Sequence, residues 1–237
     1  MVEHSLWERD VAGSNPVIPI ITLIKFMTYS IVARCERTGD LGVAVTSSAN
    51  RSGEIVPRIK SNVGAIARQG MIRMEVNMID GRYRPFILLE DGKSVNDVMQ
   101  HLLHDDKFKE EKQYGVVDNY GNSLSYTGND CPDVCGSITD KNVSVQGNTL
   151  TGDDVLKNVF NTFKDTEQLD LEERLMLSLE SGNSCGGDKR VHLEKKSAGL
   201  KVYSKDGIEK VNIEINDCSD PIPELRKKLD LQKNEFH

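Results

Sequence analysis

The feature that most constrains the fold is a pair of strand-like runs joined by a turn. Thr28-Tyr29-Ser30-Ile31-Val32-Ala33-Arg34 is rich in β-branched and aromatic residues, Thr38-Gly39-Asp40 supplies turn chemistry, and Leu41-Gly42-Val43-Ala44-Val45-Thr46-Ser47 is a second such run. Two runs separated in this way read as a β-hairpin. Strand character returns at Val63 to Arg68, and then at Tyr114 to Asp118 and Ser123 to Thr127, which flank the turn Asn119-Tyr120-Gly121-Asn122. Shorter runs follow at Val143 to Gln146, Ser197 to Tyr203 and Val211 to Ile215. Hairpins dominate this pattern, so the sheets are expected to be largely antiparallel.

Helices are signalled between the strands. Ser94-Val95-Asn96-Asp97 resembles a capping box and precedes Val98, Met99, Leu102 and Leu103 on one face. Thr151-Gly152-Asp153-Asp154 opens a second helix with Val155, Leu156, Val159, Phe160 and Phe163 as its apolar stripe. Asp170 is placed to cap a third, in which Leu171, Leu175 and Leu179 recur every four residues; Pro221 to Leu231 reads as a closing amphipathic helix. Helices arriving in blocks beside antiparallel strands imply an α+β class, with two sheets packed face to face and helices outside. No internal repeat, low-complexity tract or Pro/Ser linker divides the chain, so residues 27–237 are expected to form a single domain.

At 237 residues a single domain buries roughly 70% of its unfolded surface and needs no covalent staple. The formal charge of −7 argues against a nucleic-acid binder, which would carry a basic stripe. The charge runs Lys107 to Lys112 and Lys195-Lys196 read as solvated surface. The five cysteines, Cys35, Cys131, Cys135, Cys185 and Cys218, are an odd set whose spacing fits no disulfide scaffold, which points to a reducing, cytoplasmic compartment. Cys131 and Cys135 lack a second pair or a nearby histidine, so they read as a loop carrying two thiols rather than a zinc site.

Residues 1–26 do not fit the rest. Val17 to Phe26 is apolar, but Glu3, Glu8 and Asp10 precede it where a signal peptide needs positive charge, and it falls short of the roughly 20 residues of a membrane span. Gly13-Ser14-Asn15-Pro16 is what the codons GGT-TCG-AAT-CCN encode, a run that looks like the invariant arm of a transfer RNA gene. The expectation is that residues 1–26 are an untranslated or unstructured leader and that Met27 is the initiator. Thr28 is small enough for a methionine aminopeptidase to remove Met27 ahead of it, leaving a free threonine.

Five blocks now resemble one family. Thr28 to Arg34, Thr38 to Val45, Val63-Gly64-Ala65, Val145-Gln146-Gly147-Asn148 and Gly186-Gly187-Asp188-Lys189-Arg190 occur in the order found in an uncharacterised bacterial and archaeal family, DUF1028, which is assigned to the N-terminal-nucleophile hydrolases. The resemblance implies a four-layer αββα sandwich and places the residue after the initiator at the end of the first strand, facing a cleft. The expected activity is that of an amidohydrolase that forms an acyl-enzyme on Thr28, with no cofactor or metal.

The residues are compatible with that chemistry. A threonine hydroxyl needs a base to become a nucleophile, and the α-amine of a terminal threonine, with a reference pKa of about 7.7–8.0, is one. No histidine is then required, and no Gly-x-Ser-x-Gly elbow is present. Candidates for orienting the amine and binding an oxyanion are Ser47, Asn148, Asp188 and Arg190, with Gln69 a weaker one; Cys35 reads as core. Each has a bland counterpart in strand pairing, turn support or a loop ion pair. Two other readings stand beside the hydrolase: a binding or scaffold protein that keeps the fold, and a peptidase subunit that assembles into a ring. The expected partner is a small-molecule amide, with no nucleic acid and no membrane, and homo-oligomerisation is left open.

Overall fold

The computed structural model describes residues 27–70, 80–104, 106–187 and 196–235; the expected leader 1–26 lies outside the described residues. The first hairpin forms as its sequence implies. Strands β1 (Thr28–Arg34) and β2 (Leu41–Ser47) pair in full antiparallel register. The turn between them is closed by the Cys35 amide donating to the Asp40 carbonyl at 2.8 Å, with Gly39 at φ 80°, a backbone angle that glycine reaches without strain.

The chain continues through α1 (Ser52–Ile55), β3 (Pro57–Lys60), β4 (Gly64–Gly70), α2 (Asp80–Glu90) and α3 (Val95–His104). Then come β5 (Lys112–Asp118), β6 (Ser123–Thr127), β7 (Gly136–Asp140) and β8 (Val143–Asn148). Helices α4 (Asp154–Asp165) and α5 (Leu171–Ser184), strands β9 (Lys196–Tyr203) and β10 (Glu209–Cys218), and α6 (Pro221–Glu235) complete it. One sheet has six strands in the order β10-β9-β2-β1-β8-β7 and the other four, β3-β4-β5-β6. Every pairing is antiparallel, so the protein is an α+β fold with two antiparallel sheets.

Alternation along β1 sorts its side chains into two environments, because successive strand residues point to opposite faces. Tyr29, Ile31 and Ala33 join a cluster with Val155, Val159 and Phe163 of α4, Leu171, Leu175 and Leu179 of α5, and Leu225 of α6. Val32, in the opposite phase, packs with Val43 and Val45 of β2 and with Ala65, Ala67 and Val117 of the four-stranded sheet. A third cluster sets Ile66, Tyr114 and Val116 against Phe86 of α2 and Val95, Val98 and Met99 of α3. Each fully buried aliphatic side chain contributes about 1.5–3 kcal/mol, so these clusters carry the fold. Thr28, Ser30, Ser47 and Gln146 share the phase of Val32 or its neighbours and face the other sheet.

Local signals were met unevenly. The Ser94 hydroxyl accepts from the Asp97 amide at 3.2 Å and the Asp97 carboxylate accepts from the Ser94 amide at 2.9 Å, a reciprocal capping box. Asp170 does occupy the N-cap of α5, but its side chain makes no capping bond and pairs with Arg37 at 3.0 Å instead. The short α1 and edge strands β3 and β7 had no clear sequence signal, and α2 carries Pro85 within it. Pro57 at the first position of β3 spares the sheet a missing donor.

The reading of Lys107 to Lys112 as solvated surface is corrected at its last residue. Lys112 is 1% exposed and its ammonium meets Asp106 at 2.6 Å. Strand alternation turns this one lysine inward, where a carboxylate receives it. Where α1 crosses β9 the backbones nearly touch: a Cβ on Gly199 would lie 2.3 Å from the Gly53 Cα. Because the obstacle is main chain, Gly199→Ala is expected to destabilise the protein by about 1–3 kcal/mol, read as a lower midpoint in urea unfolding.

Candidate functional site

Three strand ends meet at Thr28. In the six-stranded sheet β1 lies between β2 and β8, and Thr28 is paired with Ser47 on one side and Asn148 on the other. Three of the residues singled out in the sequence are therefore neighbours, although 120 positions of chain separate Thr28 from Asn148. All three are buried, with Thr28 at 7% exposure. Asp188 and Arg190 lie outside the described residues.

The hydroxyl hydrogen bonds have a readable direction. The Ser47 hydroxyl donates to the Met27 carbonyl at 2.9 Å and accepts from the Ala49 amide at 3.0 Å. A hydroxyl has one proton, so the 2.8 Å contact between Thr28 Oγ1 and Ser47 Oγ is donated by threonine. The Met27 carbonyl also accepts from the Ser48 amide at 2.9 Å, while the Met27 amide donates to Ser48 Oγ at 2.7 Å. The carbonyl next to the Thr28 nitrogen thus sits between a backbone N–H and the Ser47 O–H, with the Ser48 hydroxyl a longer third donor at 3.4 Å. With Met27 attached, the Thr28 nitrogen is an amide and has no basic lone pair. A small cavity of about 20 Å³ lies on the helix side of these strand ends, bounded by Met27, Ser47, Asn183, Lys196 and Asp220; Thr28 does not line it.

Behind the strand ends lies a buried relay of side-chain amides between the two sheets. Gln113 Nε2 donates to the Gly147 carbonyl at 2.8 Å and to Thr127 Oγ1 at 3.0 Å. Its Oε1 is therefore the acceptor, and it receives Asn148 Nδ2 at 2.9 Å and Gln69 Nε2 at 3.0 Å. Gln69 Oε1 in turn accepts from the Ser30 hydroxyl at 2.6 Å, and Ser30 Oγ accepts from Gln146 Nε2 at 2.5 Å. Ser144 donates to Gln146 Oε1 at 2.9 Å. Apart from the half-buried Thr127, every side chain of the relay is at most 2% exposed, and satisfied buried networks of this kind hold one geometry. The relay fixes the Asn148 amide with its nitrogen toward Gln113, leaving Oδ1 toward Thr149, whose hydroxyl donates to it at 3.3 Å.

Gln69 was a weak candidate in the sequence; Ser30, Ser48, Gln113, Ser144 and Gln146 were missed as a group. A signal existed. Ser144, Gln146 and Asn148 alternate along one face of β8 where an apolar inner face would be expected, and polar residues at spacing two on a buried strand need partners. What the sequence lacked was the second sheet that supplies Gln69 and Gln113. Truncating Asn148 to alanine leaves Gln113 Oε1 one donor short and is expected to cost about 0.5–1.5 kcal/mol, measured by thermal unfolding.

Other clefts do not combine these features. A broad groove of about 540 Å³ runs between α5 and α6, floored by Ile222 and Leu231 and crossed by the pairing of Arg226 with Glu180 at 2.8 Å. The Cys131 thiol is pushed up to about 11, mainly by burial and further by Cys135, which makes it a poor nucleophile. The five cysteines carry no disulfide, and Cys35 is core as expected. Among the described residues no group of three or more His, Cys, Asp or Glu side chains is placed to hold a metal, and no helix is long and apolar enough to cross a membrane.

Comparison with known proteins bears out the family to which the sequence blocks pointed. Protein SPO2555 from Silicibacter pomeroyi, a crystal structure described as a DUF1028 family protein, superimposes with a TM-score of 0.75 at 26% identity, covering 86% of this chain and 88% of that one. No curated protein matches. The model of the family of unknown function DUF1028 matches residues 28–225, beginning at the threonine on which the three strand ends converge, and the chain belongs to that family.

Proposed function

We propose that the protein is an N-terminal-nucleophile amidohydrolase that acts once Met27 is gone, with Thr28 as both nucleophile and base. The observation that carries this reading is the position of the Met27 carbonyl. It lies against the Thr28 nitrogen, accepts from Ser48 N–H and Ser47 O–H at 2.9 Å each, and Thr28 Oγ1 reaches the same serine at 2.8 Å. That is the donor arrangement an acyl carbonyl needs as it becomes an oxyanion. The clusters described above, helices on the outer face of each sheet and apolar residues between the sheets, support a four-layer αββα sandwich of the kind this superfamily shares.

With Met27 removed, the Thr28 α-amine takes the proton from Oγ1, directly or through one water, as Oγ1 attacks the substrate carbonyl carbon. The C–N bond breaks, the leaving amine takes that proton, and an ester remains on Oγ1. Water then attacks the ester with the amine again as base, releasing the acid. Ser47, freed of the Met27 carbonyl, is placed to hold the amine or the oxyanion. Asn148, clamped by Gln113, positions the opposite side. Asp188 and Arg190 remain candidates for orienting the amine, and no cofactor or metal is invoked. The five thiols fit a reducing, cytoplasmic setting.

A β-lactone that acylates terminal threonine tests the proposal. Incubation with the chain beginning at Thr28 is expected to add one probe mass to its N-terminal peptide, and Asn148→Ala is expected to slow that labelling by about 10²-fold, if its amide helps place the acyl group. Absence of labelling on a folded chain with a free Thr28 would favour a binding protein that retains the fold without turnover.

A further inference from the structure

The far end of β1 carries a second feature, unrelated to Thr28. Arg34 is six residues along the strand, roughly 20 Å away, and opens a cavity of about 300 Å³ between the β1–β2 turn, the β7–β8 turn, the end of α4 and the face of α5. Five cationic side chains line it, Arg34, Arg37, Lys141, Lys164 and Arg174, against two carboxylates, Glu36 and Glu167. In a chain of net charge −7 this local excess of cations calls for a reason.

The two innermost cations have no carboxylate hydrogen-bonded to them. Arg174 is 4% exposed; it donates to the Phe163 carbonyl at 2.9 Å, stacks on the Phe163 ring at 3.8 Å and lies against the Cys35 thiol and within the field of Glu167, while its Nε makes no hydrogen bond. Arg34 donates to Asn142 Oδ1 at a long 3.3 Å, and its buried Nε is likewise without a partner. Two guanidinium groups from different elements, each with an unused donor, flank one cavity. Buried donors are nearly always satisfied, and the guanidinium fork is the side chain best matched to phosphate and carboxylate oxygens.

The outer cations are engaged only at the surface. Lys141 pairs with Glu36 at 2.5 Å with both side chains more than 60% exposed, Lys164 reaches Asp140 at 3.2 Å, and Arg37 reaches Asp170. Exposed pairs of this kind contribute little and are readily exchanged. Glu36 is held below the usual carboxylate range, first by its hydrogen bond and charge contact with Lys141, then by Arg34 and Lys164. It feels three cations of the cavity at once and occupies the place at the mouth that an anion would take.

We infer that this cavity is a binding site for a compact dianion of the phosphate or dicarboxylate type, gripped by Arg34 and Arg174, with Lys141 released to it as Glu36 is displaced. The site does not depend on Thr28 chemistry, so either can fail alone.

The test is isothermal titration of the full chain with inorganic phosphate, and separately with malonate, at constant ionic strength in chloride buffer. Saturable binding of one or both is expected, and the stronger of the two identifies the ligand class. Arg34→Gln should weaken it by about tenfold or more, the loss expected for a charge-assisted bond. Glu36→Gln, at an exposed position, should strengthen it. Circular dichroism checks that both variants are folded, and Lys141→Gln provides a second exposed variant expected to weaken binding if Arg34→Gln does not fold. Heats no different from those of added chloride, or binding unchanged in folded Arg34→Gln and Lys141→Gln, would overturn the assignment.

Discussion

Thr28→Ala, made in the chain that begins at residue 28, is expected to lower amide turnover by at least roughly 10³-fold, because it removes the nucleophile outright. The α-amine survives in this variant, so the loss isolates the hydroxyl from the base. Structure should be little affected. Thr28 Oγ1 has its 2.8 Å contact with Ser47, and a single neutral hydrogen bond contributes only about 0.5–1.5 kcal/mol. Thr28→Ser keeps an Oγ in the same place and should retain measurable turnover. A folded Thr28→Ala chain that still hydrolyses its substrate at the parental rate would remove Thr28 from the mechanism. Substrate discovery comes first, and the β-lactone labelling provides a substrate-independent version of the same comparison.

The largest stability effect is expected at Lys112. Its ammonium meets Asp106 at 2.6 Å, with side-chain exposures of 1% and 8%, and the Tyr114 hydroxyl donates to the same carboxylate at 3.1 Å. Lys112→Met strands a buried carboxylate, a loss of about 3–5 kcal/mol near neutral pH. Burial alone would raise the Asp106 pKa. The Lys112 ammonium, the Phe108 amide and the Tyr114 hydroxyl more than offset it and hold the carboxyl below its usual value. The sign follows from that direction. In the parent chain this contribution is full above the unfolded value of about 3.9 and is lost as pH falls through the lower folded value. In Lys112→Met the balance reverses, the folded pKa rises, and the deficit shrinks on acidification as Asp106 takes up a proton. Urea unfolding at pH 7 and pH 4 should show a large gap between variant and parent at the first and a smaller one at the second. Equal gaps would show that the charge of Asp106 is not what Lys112 compensates.

Much of the fold was legible because local chemistry and burial pointed the same way. The β1–β2 hairpin has β-branched runs on both sides of Gly39, and α4 and α5 carry stripes at Val155, Val159 and Phe163 and at Leu171, Leu175 and Leu179, the residues that form the helix-side core. Edge strand β7, whose Gly136-Ser137-Ile138-Thr139-Asp140 alternates weakly, and α2, with Pro85 inside it, gave little to read. Lys112 was misread because a charge run gives no sign of which member strand alternation turns inward. Thr28, Ser47 and Asn148 were legible as blocks beside glycines and strand ends, but their adjacency is a property of the β2-β1-β8 order. The relay through Gln113 and Gln69 was not legible, since its partners come from separate sheets and only the packing of one on the other joins them.

Catalysis by Thr28 requires its free amine, and the intact mass with N-terminal sequence of the protein from its native source tests this most directly. A chain whose first residue is Thr28 is the predicted result; the Ser47 hydroxyl and Ser48 amide are then released from the Met27 carbonyl for a substrate. A chain in which Met27 still precedes Thr28 would contradict the account, because the nitrogen that should act as base would remain an amide.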